Sequence, residues 1–335
     1  MLTFTLRRLL LAIPTLLVIS LVIFLLVDLA PGSPMSEIPL TVPPDVRQKM
    51  IEALGADQPV FVRYILWLRQ FFWVEPATLV DGWFGTNLAG DEQRILSWQS
   101  RSPVFTIIGQ RVPQTLTVIG TAYLIGILIA VPIGIYSAYR QYSWFDQAGT
   151  LFAMIGFSVP TFFSGTLFII IFAVWLGWFP TKYDTTLAVT DWESFLKQLR
   201  QMALPVMTLG LANAAAISRY MRSSMLENMG QDYVRTARAK GMSERTVVLK
   251  HVLRNSLIPV VTVIALGIPS IFGGAIITEN LFGVNGIGAA LIGAIHANDI
   301  PMVQTLAFIF AILIVIFNLS ADVLYGFLDP RIRYD

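Results

Sequence analysis

The sequence predicts an all-α polytopic membrane protein: six transmembrane helices, with a helical insertion outside the membrane after the first. Three observations predict it. Hydrophobic residues make up 55% of the 335 and charged residues only 13%, against roughly 25% charge in an ordinary soluble domain. Mean hydropathy is +0.68. Several apolar runs reach the ~20 residues needed to cross a hydrocarbon core.

Arg7 and Arg8 precede an apolar run from Leu9 to Val27. A signal peptide also opens on positive charge, but this run is longer than a usual signal core, and no small-x-small cleavage site follows in Asp28-Leu29-Ala30-Pro31. The expectation is an uncleaved first transmembrane helix, over about 9–29, within an N-terminal segment 1–30. Residues 31–103 then form the external helical region. Pro43-Pro44-Asp45 leads into an amphipathic pattern (Val46, Met50, Ile51, Leu54) that stops at Gly55. A second helix is expected over Val60–Phe72, with Phe61, Tyr64, Ile65 and Leu68 on one stripe. This region is either a small cap resting on the membrane or a docking surface for an external partner.

The remaining 104–335 holds five more spans, at about 112–138, 148–177, 202–222, 256–279 and 302–326, with Val104–Arg111 as a short interfacial helix before them. The fourth span is the least apolar. It carries Asn213 and ends in Ser218-Arg219, while Ala212, Ala214, Ala215 and Ala216 keep its surface small. Small residues let helix backbones approach, so this helix is expected to be buried among the others.

Basic residues set the orientation. The N-terminus, the 139–147 turn, the 219–254 loop and the C-terminus carry thirteen Lys/Arg; the opposite segments carry nine over a much greater length and are richer in Asp/Glu. Both termini are therefore expected in the cytoplasm.

Several chemistries are missing. The chain has no G-x-x-x-x-G-K-[ST] loop for ATP, no H-E-x-x-H and no G-x-S-x-G. It has no cysteine, and its two histidines, His251 and His296, lie far apart without ligand-spaced partners, so no metal site is expected. A net charge of +2 does not suggest nucleic acid. The spans are nearly free of charge: Asp28, Asp322 and Glu279 sit near span ends. An ion-coupled carrier usually keeps a charge at mid-membrane despite a cost of at least ~2.5 kcal/mol. What remains inside is neutral and polar: Ser158, Thr161, Ser164, Asn213, Thr262 and Ser270. Most of these suit helix packing, and a minority could line a wet passage. Glu279, Asn280 and Asp299 are candidates for an external gate or partner face.

The longest polar, basic stretch, Arg219 to Arg254, lies between two apolar runs and carries eight Lys/Arg against three Asp/Glu. Asp232 suits an N-cap and Tyr233–Lys240 are acceptable helix formers. Gly241 stands where a residue tolerating positive φ is wanted, and Ser243 can open a second helix with Val248, Val252 and Leu253 at helical spacing. Pro259 follows as the chain enters the next span. Helix, tight turn, helix is the expectation. An ordinary solvated loop obeying the charge rule would account for the same residues.

Residues 233–259, Y-V-R-T-A-R-A-K-G-M-S-E-R-T-V-V-L-K-H-V-L-R-N-S-L-I-P, resemble the cytoplasmic signature loop of ABC-importer permeases, often written E-A-A-x-x-x-G. More narrowly, the chain resembles the peptide/nickel (oligopeptide and dipeptide) branch. The resemblance runs nearly full length, through L-R-R-L (Leu6–Leu9), A-P-G-S-P (Ala30–Pro34), T-E-N-L-F (Thr278–Phe282), D-I-P-M-V-Q (Asp299–Gln304) and D-P-R-I-R (Asp329–Arg333). Arg235 and Thr236 replace the general motif's Glu and first Ala, a form the peptide branch itself shows. Asn285-Gly286 stands where Pro-Gly is usual.

The resemblance implies an ABC type I importer permease fold in a bacterial inner membrane, with a coupling loop at about 228–256. It implies a second homologous permease subunit as heterodimer partner, two ABC ATPase subunits that carry the ATP and Mg, and an external solute-binding protein. This chain would hold no cofactor and catalyse nothing. The ATPase-docking role carries over to Arg235, Thr236, Ala237, Arg238, Lys240, Gly241 and Met242, with His251 and Arg254 at its edge. Dipeptides or oligopeptides are the implied cargo, with nickel chelates, opines or glycosides as the alternative. A stand-alone secondary carrier or channel is the rival from another class.

Overall fold

The computed structural model describes residues 2–29, 58–90, 92–273 and 276–328, with side chains from Thr5 onward and excluding 270, 272–273 and 324–328. The helix expected at 46–54 and the Ala30–Pro34 and Asp329–Arg333 motifs lie outside the described residues. So does the side chain of Ser270. Among the described residues the chain is helical, with no strand beyond a single bridge between Leu96 and Pro103.

In order, α1 is Leu2–Asp28. Then α2 (Val60–Arg69) runs through a π-helical stretch (Gln70–Val74) into α3 (Glu75–Phe84). α4 (Val104–Thr115) continues through Leu116–Gly120 into α5 (Thr121–Tyr139). α6 (Trp144–Ser158) and α7 (Thr161–Phe168, extended by Ile169–Trp175) precede the long α8 (Trp192–Met229). α9 (Asp232–Ala239), α10 (Glu244–Thr246, continued by Val247–Val252) and α11 (Leu253–Gly273) follow; α12 (Ile276–Phe282), α13 (Ile287–His296) and α14 (Ile300–Leu328) close the chain.

Among the described residues, five helices are long and apolar enough to cross a membrane, or up to seven if two bent pairs count as spans. The first bent pair corrects the expected third span. α6 and α7 meet at 105°, because Pro160 forces Val159 into an extended conformation (φ −84°, ψ 124°) that no helix can continue through. The second corrects the loop expected after the fifth span: α12 and α13 form a pair bent by 88°. The interfacial helix expected at Val104–Arg111 is instead the start of one 36-residue helical run to Tyr139.

The chain forms two compact units. One holds Gln114–Ala289 with the described parts of Met1–Leu9 and Ile314–Asp335. Its centre is α5 against α8. Ala122, Gly126, Ala130, Gly134 and Ala138 recur every fourth residue along α5 and all are buried. A Cβ on Gly126 would lie 2.9 Å from the Asn213 Cβ, and one on Gly134 would lie 2.5 Å from the Met221 Cβ. The two backbones thus meet along a small-residue seam, which is how helices gain contact in lipid, where apolar surface alone drives no association. Over its most apolar window 61% of α8 is buried, against 11% for α1. A capping box opens α8: Asp191 accepts from Ser194 N at 2.8 Å, and the Ser194 hydroxyl accepts from Asp191 N at 3.0 Å. Arg8 and Asp322 pair at 2.6 Å in the same unit.

The other unit holds Leu10–Pro113 with Ala290–Leu313. Its core is aromatic, with Phe24, Trp67, Phe71 and Phe308 in edge-to-face or tilted contact. The buried stripe of α2 and its continuation is Trp67, Phe71 and Val74; Phe61 and Ile65 point away from it. The stripe expected from the sequence mixed these two faces, because aromatic residues lie on both and hydropathy does not separate them.

Candidate functional site: the basic helix–turn–helix

The segment from α8 to α11 is built on an apolar underside. Val234 and Ala237 of α9 are buried with Met221, Met225, Val247, Val248, Val252 and Val260. Ser224 of α8 and Ser256 of α11 lock the base: the Ser224 hydroxyl donates to Ser256 O (2.9 Å), and the Ser256 hydroxyl lies between Val252 O (2.9 Å) and Ser224 O (3.2 Å). A second lock, not foreseen from sequence, ties the first turn of α6 to α8. Arg222 donates two hydrogen bonds to Asp146, at 2.5 and 2.7 Å, and the Asp146 carboxylate is almost wholly buried. Asp146 also accepts from Tyr142 N at 2.9 Å, beneath the helix cap formed by Ser143. Ser143 and Asp146 at the mouth of an apolar run were the available signal.

Asp232 is the first helical residue of α9; the N-cap position belongs to Gln231, which makes no side-chain cap. The Asp232 carboxylate still lies at the positive end of the helix dipole. The C-terminus closes as a Schellman motif: Gly241 N donates to Arg238 O (2.9 Å) and Met242 N to Ala237 O (3.3 Å). Gly241 has φ +76°, and a Cβ there would meet nothing within 4 Å. Glycine is required by conformation, not by space. Ser243 occupies the N-cap of α10, but its hydroxyl pairs with that of Thr246 (2.8 Å) rather than with the backbone.

Across the turn, Arg238 grips Glu244 with two hydrogen bonds (3.1 and 2.7 Å). The carboxylate raises the guanidinium further above its ordinary pKa, so Arg238 stays charged. Arg235, Thr236 and Lys240 are exposed, as are Arg245, Lys250 and Arg254. Arg235 touches Asp232 only loosely, at 3.7 Å. Met242 is half-buried against the underside. Ala237 faces inward, onto the chain's own helices. His251 is half-buried, and its Nε2 makes no hydrogen bond among the described residues. The result is a rigid, apolar-backed platform whose outer side carries six Lys/Arg against two Asp/Glu between Asp232 and Arg254.

The other candidates are dispersed. Ser158 and Thr161 flank the α6–α7 bend, and the Ser164 hydroxyl donates to Thr161 O (3.0 Å). Thr262 donates to Ile258 O (3.2 Å). Asn213 lies on α8 against Gly126. Asn280 is exposed, but Glu279 and Asp299 are buried. Glu279 Oε1 accepts from the Thr115 hydroxyl (2.6 Å) and Oε2 from Ala289 N (2.9 Å), while the Thr115 oxygen accepts from Ile287 N (2.9 Å). Together they cap α13. Asp299 caps α14 through Met302 N (3.3 Å) and accepts from Trp98 N (3.0 Å), Gln99 N (3.3 Å) and the Ser97 hydroxyl. Both carboxylates hold the protein together internally, so neither is available to an outside partner in this conformation.

Family profiles match almost end to end. Residues 1–119 match the N-terminal part of the binding-protein-dependent transport system membrane component, and residues 130–334 match the binding-protein-dependent transport system inner membrane component. The chain belongs to that family. The oligopeptide transport system permease protein AppB of Bacillus subtilis is 37% identical over the whole of both chains. The glutathione transport system permease protein GsiC of Salmonella choleraesuis is also 37% identical over the whole of both. A putative peptide permease of Brucella suis biovar 1 is 38% identical over 99% of each. As a family member the chain is a multi-pass inner-membrane permease component.

Proposed function

We propose that the chain is one membrane-spanning subunit of an ATP-driven importer, forming half of a translocation pathway for peptides delivered by an external solute-binding protein. It works beside a second, homologous permease and two ATPase subunits that bind the ATP and Mg. Both termini lie in the cytoplasm, residues 31–103 lie outside, and residues 104–335 form the permease core. The full-length similarity to permeases named for oligopeptides and glutathione supports the cargo class.

The observation that carries this reading is the platform built by α9, Gly241 and α10. An ATPase that docks on its basic outer side pulls on a structure with little internal play. The buried valines and the Ser224–Ser256 lock transmit that pull to α8 and α11. The Arg222–Asp146 pair passes it on to α6. Closure of the two ATPases on ATP favours one of two permease conformations by differential binding energy, as any population shift requires. Arg235, Thr236, Arg238 and Lys240 meet the partner directly, with Arg254 and His251 at the rim. Ala237, Gly241 and Met242 fix the shape beneath them.

The test is co-purification of the tagged chain from its native membrane, followed by reconstitution. ATPase subunits and a second permease are expected to accompany it, and peptide uptake into liposomes to require all of them with ATP. Transport by the chain alone, or recovery without ATPases, overturns the proposal.

A further inference from the structure

The helix running from α2 through α3, Val60–Phe84, is out of keeping with a water-exposed cap. Its exposed positions include Phe61, Ile65, Phe72, Trp73, Leu79 and Trp83, and the only charged residue among them, Arg69, is paired with Glu92 at 2.5 Å. The other charges of this helix are turned inward or satisfied locally. Arg63 pairs with Asp28 (2.6 Å), and the fully buried Glu75 holds Arg94 (2.7 Å) and Ile95 N (2.9 Å). Asp81 accepts from Thr86 and from Leu88 N and Ala89 N, which hold its pKa down.

Its depth can be read from its neighbours. Asp28 ends the apolar run of α1 and so marks the membrane boundary. Trp67 packs on Phe24, four residues inside that boundary, or about 6 Å at a helical rise of 1.5 Å per residue. Trp67 and Phe71 both pack on Phe308, eight residues into α14, or about 12 Å. The Tyr64 hydroxyl reaches Ser20 (2.7 Å), at a similar depth eight residues inside Asp28, and Leu17 O (3.2 Å). The helix therefore crosses α1 and α14 below their ends. Its outer face is apolar and exposed, as is that of α1, where Val18, Val22 and Leu26 are exposed.

We propose that Val60–Phe84 is an interfacial helix. It lies in the headgroup–acyl boundary of the leaflet where α1 ends, with the Phe61–Trp83 face against lipid. Amphipathic helices that lie in this plane bury their apolar face roughly 5–10 Å into the boundary, and aromatic rings are favoured at that level. The chain has no cysteine, so a nitroxide can be attached at a single introduced one. The experiment labels Phe61→Cys, Phe72→Cys and Trp83→Cys in turn within the assembled transporter, its other subunits carrying no accessible thiol, in liposomes. It then compares relaxation by oxygen, which partitions into lipid, with relaxation by a nickel chelate, which stays in water. A label on Gly85→Cys in the following loop gives the aqueous reference. Oxygen should dominate at all three sites, at closely similar depths. Chelate access equal to the Gly85 reference would make the region a solvated cap. Shielding from both probes would make the face a contact with another subunit, and depth changing steadily from Phe61 to Trp83 would make the helix a span. Each of these overturns the proposal.

Discussion

Gly241 and Gly286 each stand at a turn between two helices. At Gly241 the space is open and the backbone is left-handed, φ +76°. At Gly286 a Cβ would lie 2.2 Å from Glu279 Oε1 and 2.3 Å from the Thr115 hydroxyl. The first glycine shapes an exposed turn; the second makes room for a buried carboxylate that caps α13. One turn is set locally, the other by a residue far away in sequence. The same amino acid thus reports on conformation in one place and on packing in the other, and substitutions tell them apart.

The largest effect should come at Gly286. Gly286→Ala pushes Glu279 off its donors and leaves buried N–H groups without partners. The expected cost is about 3 kcal/mol, combining overpacking with lost buried hydrogen bonds. Thermal unfolding of the detergent-solubilised assembly would measure it. Glu279→Ala alone should also destabilise, but Gly286→Ala placed on that background should cost less than on its own, since the carboxylate it strikes is gone and only the Thr115 hydroxyl stands in its way. Additive losses would show that the glycine and the carboxylate do not act as one structure.

At Gly241 the ranking inverts. Gly241→Asn should be nearly silent, since asparagine tolerates the left-handed region. Gly241→Val should cost about 1–2 kcal/mol of local strain while leaving the Glu279 cap untouched. Assembly should survive that strain, and ATP-driven transport in vesicles should fall several-fold while ATP hydrolysis continues. Equal transport by the Val and Asn variants would remove the turn's conformation from the coupling step.

These two turns also show what the sequence could disclose. The Gly241 unit is legible because everything that specifies it lies within about twenty residues: charge density, Val234 and Ala237 at helical spacing, and a glycine after the last basic residue. Thr115 and Glu279 are 164 residues apart, and no local pattern announces their meeting. Taken alone, Glu279 is a candidate for an external gate or partner face. The α6–α7 bend escaped for another reason. Hydropathy records how apolar 148–177 is but not its direction, so Pro160 was outweighed by the residues around it. The small-residue seam on α5 is present in the sequence, at every fourth position from Ala122 to Ala138, but within so apolar a run it does not stand out as the small residues of the less apolar α8 do. Membership of the permease family was legible from the spread of its motifs.

The smallest effect concerns the clasp across the Gly241 turn. Arg238 and Glu244 are about two-fifths exposed, and such surface pairs contribute at most about 1 kcal/mol, less in salt. A double-mutant cycle of Arg238→Ala and Glu244→Ala should therefore return a small coupling in stability. Docking is a more sensitive readout. In the clasped state one of the six basic side chains is already neutralised, so Glu244→Gln releases Arg238 and makes the platform more basic without altering its shape. An acidic partner surface would then be captured faster at low ionic strength, with the advantage fading as salt rises. Salt-dependent ATPase association rates, measured for both forms, decide the matter. A faster rate for Glu244→Gln identifies charge on this face as part of docking, and identical rates would reduce the clasp to a staple that holds the turn closed.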